Sequence, residues 1–119
     1  MEGERHTFSK AERLSGKTAL ARLLDGGRWG ATAHLKYCFK ANTEEINRLL
    51  VSVPKKLFKR AVRRNLLKRR LRESYRLQKE LLNRAGVDFM LVYNSPEVLS
   101  FDVLREEVAE VLAKISSKV

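Results

Sequence analysis

A chain of 119 residues is within the range of one domain, and 44% apolar with 33% charged residues excludes a disordered polyelectrolyte while providing a core without disulfides. A formal charge of +11 and an isoelectric point near 10.2 require a polyanionic partner. There is no apolar run of membrane-spanning length and no basic start leading into an apolar signal core, so the expected location is the cytoplasm.

Residues 1–12 are polar, mixed in charge and without an apolar period, which predicts a flexible tail ahead of a single domain spanning 13–119. From about Lys17, Leu20, Leu23 and Leu24 recur at helical spacing until Asp25-Gly26-Gly27 stops the run. Trp29, just beyond that turn, reads either as an exposed stacking residue or as a plug. Leu35, Tyr37 and Phe39 alternate with His34, Lys36 and Lys40, the period of two of a strand with one covered face. Cys38, the only cysteine, sits inside this strand and reads as a packing residue, since no basic partner is singled out to activate it. A polar connection over 42–47 leads to Leu49, Leu50, Val51 and Val53, a second strand closed by Pro54.

From about Lys59 to Asn83 the chain lacks Gly and Pro and is rich in Leu, Arg, Lys, Glu and Gln. These are good helix formers and predict a rod of roughly 37 Å at about 1.5 Å per residue, ending near Ala85-Gly86. Val87, Phe89, Leu91 and Tyr93 mark another strand, broken by Asn94-Ser95-Pro96. Ser100 then caps a last helix with Leu104, Val108, Val111, Leu112 and Ile115 on one face and Glu106, Glu107 and Glu110 facing water. This order gives an α/β chain of the α+β sandwich type: a sheet of about four strands, a long basic central helix and two shorter helices.

The charge is concentrated. Residues 54–84 hold 13 of the 25 basic residues against only Glu73 and Glu80, so this segment carries the whole +11 and the remainder is balanced. At about 100° per residue, Arg64, Lys68 and Arg72 share an arc of about 80°, continued by Asn65, Arg69 and Arg76. Leu67, Leu71, Gln78, Leu81 and Leu82 form the adjoining arc that can pack on a sheet. Glu73 is positioned to pair with Arg69, and Glu80 with Arg76. Like charges at this spacing cost stability unless an anion lies against them, and forked arginine donors match phosphate oxygens. The segment therefore reads as a nucleic-acid-binding face, with Asn65 able to reach a sugar or base edge.

Other chemistry is weakly signalled. His6, His34 and one cysteine give no metal-ligand spacing, so no metal and no cofactor are expected on the protein, and no protein catalytic site is visible. A membrane surface fits poorly because the stripe beside the charges lacks large aromatics. A basic-region dimer reading DNA would need more heptads than Leu67, Leu71, Leu81 and Leu82 supply. A ribosomal or nucleoid-type RNA- or DNA-binding protein with no catalytic assembly remains the alternative to the reading below.

Val51-Ser52-Val53-Pro54-Lys55-Lys56, followed by Arg60-Ala61-Val62-Arg63-Arg64-Asn65-Leu66-Leu67-Lys68-Arg69-Arg70-Leu71-Arg72-Glu73, resembles the signature of the protein subunit of bacterial ribonuclease P. That signature is a strand ending in two basic residues, then a helix bearing Arg-Asn-Arg, Lys-Arg and Arg-Glu. The resemblance extends from Arg13-Leu14 through the final helix. It implies a ββαβ-type core with a left-handed crossover between parallel strands, against the usual hand.

The resemblance also implies a partner and a substrate: the catalytic RNA subunit, which cuts precursor tRNA at the mature 5′ end using Mg²⁺ bound by the RNA, and the precursor tRNA itself. By position, Arg60, Arg63, Arg64, Asn65, Lys68, Arg69 and Arg72 would contact the catalytic RNA. A cleft lined by Leu20, Leu24, Tyr37, Phe39, Val51 and Val53, with Lys55, Lys56 and Lys68 at its rim, would hold the single-stranded 5′ leader. From the residues alone Tyr37 and Phe39 are open between cleft and core. The chain would be a monomer without RNA. Two departures stand out. Leu66 replaces the second arginine of Arg-Asn-Arg, so the role of that arginine is missing or passes to Arg63 or Arg70. Leu20 and Leu24 stand where many members carry phenylalanines, which weakens stacking there.

Overall fold

The structure, a computed structural model, describes residues 8–83 and 85–118. Its elements in chain order are α1 (Lys17–Leu24), β1 (Arg28–Ala31), β2 (Leu35–Ala41), β3 (Arg48–Ser52), α2 (Ala61–Arg76), β4 (Val87–Tyr93) and α3 (Phe101–Lys118). Short 3-10 turns at Lys10–Glu12 and Lys79–Leu81 complete it. The strands form one sheet in the order β1-β2-β4-β3, with β3 and β4 parallel and the other neighbours antiparallel. Parallel neighbours cannot be joined by a hairpin, so the connection must cross a face of the sheet, and α2 is that connection.

Strand alternation divides the side chains between two faces. The first face gathers Leu35, Tyr37 and Phe39 of β2, Leu49 and Val51 of β3, and Val87, Phe89, Leu91 and Tyr93 of β4. Leu67, Leu71 and Tyr75 of α2 and Leu104, Val108, Val111, Leu112 and Ile115 of α3 close over it. Fully burying each such side chain is worth about 1.5–3 kcal/mol, which makes this the main source of stability. Edge-to-face pairs, Tyr75 on Phe89 at 5.4 Å and Phe58 on Tyr93 at 5.6 Å, give the core defined geometry. Gly30, opposite Tyr37 in β1, leaves room for that ring, since a Cβ there would stand 2.2 Å from it.

The second face is covered only in part. Leu23 of α1 and Leu14 pack on Cys38 and Met90, with Ala19, Leu20, Leu50 and Val92 partly buried around them. The Lys40 ammonium donates to the carbonyls of Arg22 (3.2 Å) and Asp25 (2.9 Å), satisfying groups that the end of α1 leaves open. Gly27 allows this close approach, because a Cβ would lie 2.2 Å from the Leu23 carbonyl and 2.5 Å from Cys38 Sγ.

Several expectations change. The long helix ends at Arg76 rather than near Asn83. Gln78 leaves the helical conformation (φ −140°), its amide donates to the Arg105 carbonyl of α3 at 2.7 Å, and the following turn carries Leu82 into the core. Propensity encodes neither gain. Within α2, Glu73 pairs with Arg76 instead of Arg69. Of the expected tail, residues 1–7 lie outside the described residues, while Phe8–Glu12 packs on the body. Ser9 and Glu12 form a capping box, Glu12 pairs with Lys79 at 2.9 Å, and Phe8 meets Tyr75 edge-on. Ser100 does cap α3, and the five apolar residues named for that helix are all buried.

Glu107, expected to face water, is buried. Its carboxylate accepts from the Thr32 hydroxyl and the His34 backbone N–H, and lies 3.0 Å from His34 Nδ1, tying the β1–β2 turn to α3. Burial pushes this carboxyl up, but the bonds from Thr32 and His34 outweigh it and hold it below its ordinary 4.5. A depressed folded value means that the contribution is present above 4.5 and lost as pH falls through the folded value. Thermal unfolding followed by circular dichroism should therefore lose midpoint as pH drops below about 4.5, and Glu107→Gln should lose less over that range. Parallel curves for the two proteins would rule out the carboxylate as the cause.

Candidate nucleic-acid interface

The approach to α2 is built before the helix starts. Beyond β3, Pro54–Leu57 makes a turn closed by the Leu57 N–H on the Pro54 carbonyl at 3.1 Å, leaving Lys55 and Lys56 exposed. Phe58 then plugs the core against Tyr93, and Arg60, extended, caps the helix. Arg64 reaches back and donates to the carbonyls of Phe58 (2.7 Å) and Lys59 (2.8 Å). This arginine therefore fixes the loop as well as adding charge.

Burial of Leu67, Leu71, Ser74 and Tyr75 fixes how α2 is turned. At about 100° per residue, Arg64, Lys68 and Arg72 fall along one border of that stripe, where all three are partly buried, and Asn65 and Arg69 stand further out and exposed. These five are brought together, as the sequence indicates. Arg63 is not: it lies about 100° to the other side of Arg64, on the flank where Arg70 donates to the Leu99 carbonyl ahead of α3. On that flank Arg70 is engaged, while Arg63 is exposed.

Sequence reasoning missed Arg13. An isolated bridge pairs it with Leu49, so it extends the sheet beside β3 and meets the cationic border of α2. There, a depression of about 440 Å³ is lined by Arg13, Asn65, Arg69, Arg72, Glu73 and Arg76, with Phe8 beneath Arg13 (5.2 Å to the ring centroid). Burial, and then the charge of Arg13, lower the Arg72 pKa, as crowded cations should. Among the described residues, no ion pair includes Arg60, Arg63, Arg64, Lys68, Arg69 or Arg72. Crowded cations of this kind are well matched to phosphate oxygens, which accept charge-assisted bonds from forked arginine donors.

The residues expected to line a cleft divide between the two faces of the sheet. Tyr37 and Phe39 (each 2% exposed), Val51 (6%) and Val53 (5%) belong to the enclosed first-face core and cannot touch a ligand. Leu20 and Leu24 sit on α1 against the second face, where Leu24 is 43% exposed. The expected alternation in β2 and β3 is present, but the side expected to be open is the enclosed one, because two faces with apolar residues look alike along the chain. The open surface is instead the row Lys36, Val92 and Ser52, in register across β2, β4 and β3, beside the row Cys38, Met90 and Leu50 that α1 partly covers. The turn bearing Lys55 and Lys56 follows the Ser52 end of β3. Trp29, opposite Cys38, is exposed, which removes the plug alternative.

The family model described as Ribonuclease P matches residues 8–116. The chain belongs to the ribonuclease P protein family. The ribonuclease P protein component of Porphyromonas gingivalis is 34% identical over 123 residues, covering 94% of this chain and 88% of that one. The Chlorobaculum tepidum component is 40% identical over 90 residues, covering 71% and 58%. Among solved structures, the ribonuclease P protein of Thermotoga maritima superposes with a TM-score of 0.78 at 26% identity, covering 87% of this chain and 97% of that one. The Staphylococcus aureus ribonuclease P protein gives 0.77 at 27%, covering 92% and 98%. The fold of this ribonuclease P family member is thus the α+β sandwich of those proteins. No helix among the described residues is long and apolar enough to cross a membrane.

Substituting both Arg69 and Arg72 by Gln should leave the circular dichroism spectrum and unfolding midpoint close to the parent. RNA affinity measured by filter binding should fall, and the slope of log K against log salt should shallow by about 0.7–0.9 for each phosphate no longer neutralised. Arg64→Ala should differ by also costing about 1 kcal/mol of stability, through its two carbonyl bonds. An unchanged salt slope in the double variant would place the phosphates elsewhere.

Proposed function

We propose that this chain acts as the protein component of ribonuclease P, assisting removal of the 5′ leader from precursor tRNA. The border of α2 formed by Arg64, Asn65, Lys68, Arg69 and Arg72, extended by Arg13, binds phosphates of the catalytic RNA, and Arg63 on the other side of the helix and Arg60 at its start add further contacts. The half-covered second face, between α1 with Leu20 and Leu24 and the row Lys36, Val92 and Ser52, takes the single-stranded leader, with Lys55 and Lys56 at its end. Tyr37, Phe39, Val51 and Val53 have no part in that groove, being core. The RNA subunit makes the cut with the Mg²⁺ it binds, and the protein supplies binding and charge. It works in the cytoplasm and is a monomer until it meets RNA.

The observation that carries this reading is the cationic border of α2, where Arg64, Lys68, Arg69 and Arg72 enter no ion pair among the described residues, in a chain whose family match runs from residue 8 to residue 116. Physically, packing RNA helices and a substrate together crowds phosphates, and a net charge of +11 confined to one segment offsets part of what Mg²⁺ otherwise must. Purified protein added to bacterial ribonuclease P RNA with leader-bearing precursor tRNA at low Mg²⁺ should raise the cleavage rate well above that of the RNA alone. No gain over RNA alone would end this proposal and favour a binding protein with no catalytic assembly.

A further inference from the structure

Unpaired bases are held by aromatic faces, and this chain encloses most of its own. Tyr37, Phe39, Phe58, Tyr75, Phe89 and Tyr93 are buried, and Phe8 is engaged between Arg13 and Tyr75. Trp29 stands apart. It is 54% exposed, the most exposed aromatic among the described residues and the chain's single tryptophan. Its register opposite Cys38 puts the indole on the second face, in line with Met90 and Leu50. The first-face packing of β1 does not use it, since Gly30 next to it receives the Tyr37 ring.

Charge selects the occupant of this face. Its strands present Lys36, Lys40 and Arg48 against Asp88 alone, and Asp88 is already held by both ends of the Arg48 guanidinium at 2.8 Å. Lys36 lies one register row from Trp29, a diagonal of roughly 7–8 Å, which suits a base on the ring with its phosphate on the ammonium. An exposed indole on a cationic, half-covered sheet fits a single-stranded nucleic acid better than a protein surface, which would need apolar neighbours on all sides of it.

We infer that Trp29 is a base-stacking residue, on whose indole a nucleobase of the 5′ leader lies when the strand crosses the second face. The inference rests on the proposed function and adds to it an aromatic contact, made by β1 in place of the enclosed β2 rings. Every base has a stackable face, so the contact tolerates sequence, with purines held better than pyrimidines through their larger overlap.

The test uses the assembled enzyme and the single tryptophan. Trp29→Ala should weaken binding of precursor tRNA by roughly tenfold while leaving mature tRNA unchanged, and Trp29→Phe should recover most of the loss. In the free full-length protein, a single-stranded RNA oligomer should quench tryptophan emission, and the same oligomer with its bases removed should not. An unchanged precursor affinity in Trp29→Ala, or equal losses for precursor and mature tRNA, overturns the inference while a working wild-type enzyme keeps the function. If wild-type protein fails to stimulate cleavage, the function falls, and quenching that depends on the bases still decides the role of Trp29. Emission that changes on dilution without RNA, alongside self-association in sedimentation, would assign the indole to a contact between copies of the chain and overturn the inference.

Discussion

The rotation of α2 about its own axis is set by one seam, Leu67, Leu71 and Tyr75 packing on the first face of the sheet, with Tyr75 edge-on to Phe89. Helical geometry leaves no freedom beyond that. Once the stripe is buried, Arg64, Lys68 and Arg72 must lie along its border and Asn65 and Arg69 outside it. The seam also decides an energetic contest. Like charges at i, i+4 cost about 0.2–0.5 kcal/mol per pair, whereas each buried Leu or Tyr returns about 1.5–3 kcal/mol. The core therefore holds a cationic rod that would be a poor helix alone.

The two faces of the sheet do different work because they are covered differently. Two long helices close the first face, and its residues are dry and interlocked. A single helix of eight residues, about 12 Å long, crosses the second, too short to roof four strands spaced about 4.8 Å apart. One band is sealed around Cys38 and Met90, and the neighbouring band of Lys36, Val92 and Ser52 stays wet. The first face thus carries most of the buried core, while the second keeps part of its side chains exposed. The open side can carry charge and an exposed indole at little cost to the fold.

Much of this is legible along the chain. The confinement of the net charge to one helix, the buried stripe beside it, the strands at β2, β3 and β4 and the amphipathic last helix all follow from local periodicity, which is a property of neighbouring residues and survives without coordinates. The signature from Val51 to Glu73 carries the family as well. What is not legible has nonlocal causes. Gln78 ends α2 by bonding a carbonyl of α3, and Glu107 is drawn inside by Thr32 and His34, partners more than 70 residues away.

The sequence by itself determined which residues alternate and which cations share a helical border, since covalent geometry fixes both periods. Only the tertiary structure decided which side of the sheet is the inside. Tyr37, Phe39, Val51 and Val53 alternate as a cleft wall would, yet they are core because α2 and α3 together bring enough apolar surface to close their face, while α1 brings enough to cover only part of the other. A period of two specifies two sides without naming them, and the choice belongs to whichever helices, distant in sequence, bury the larger area.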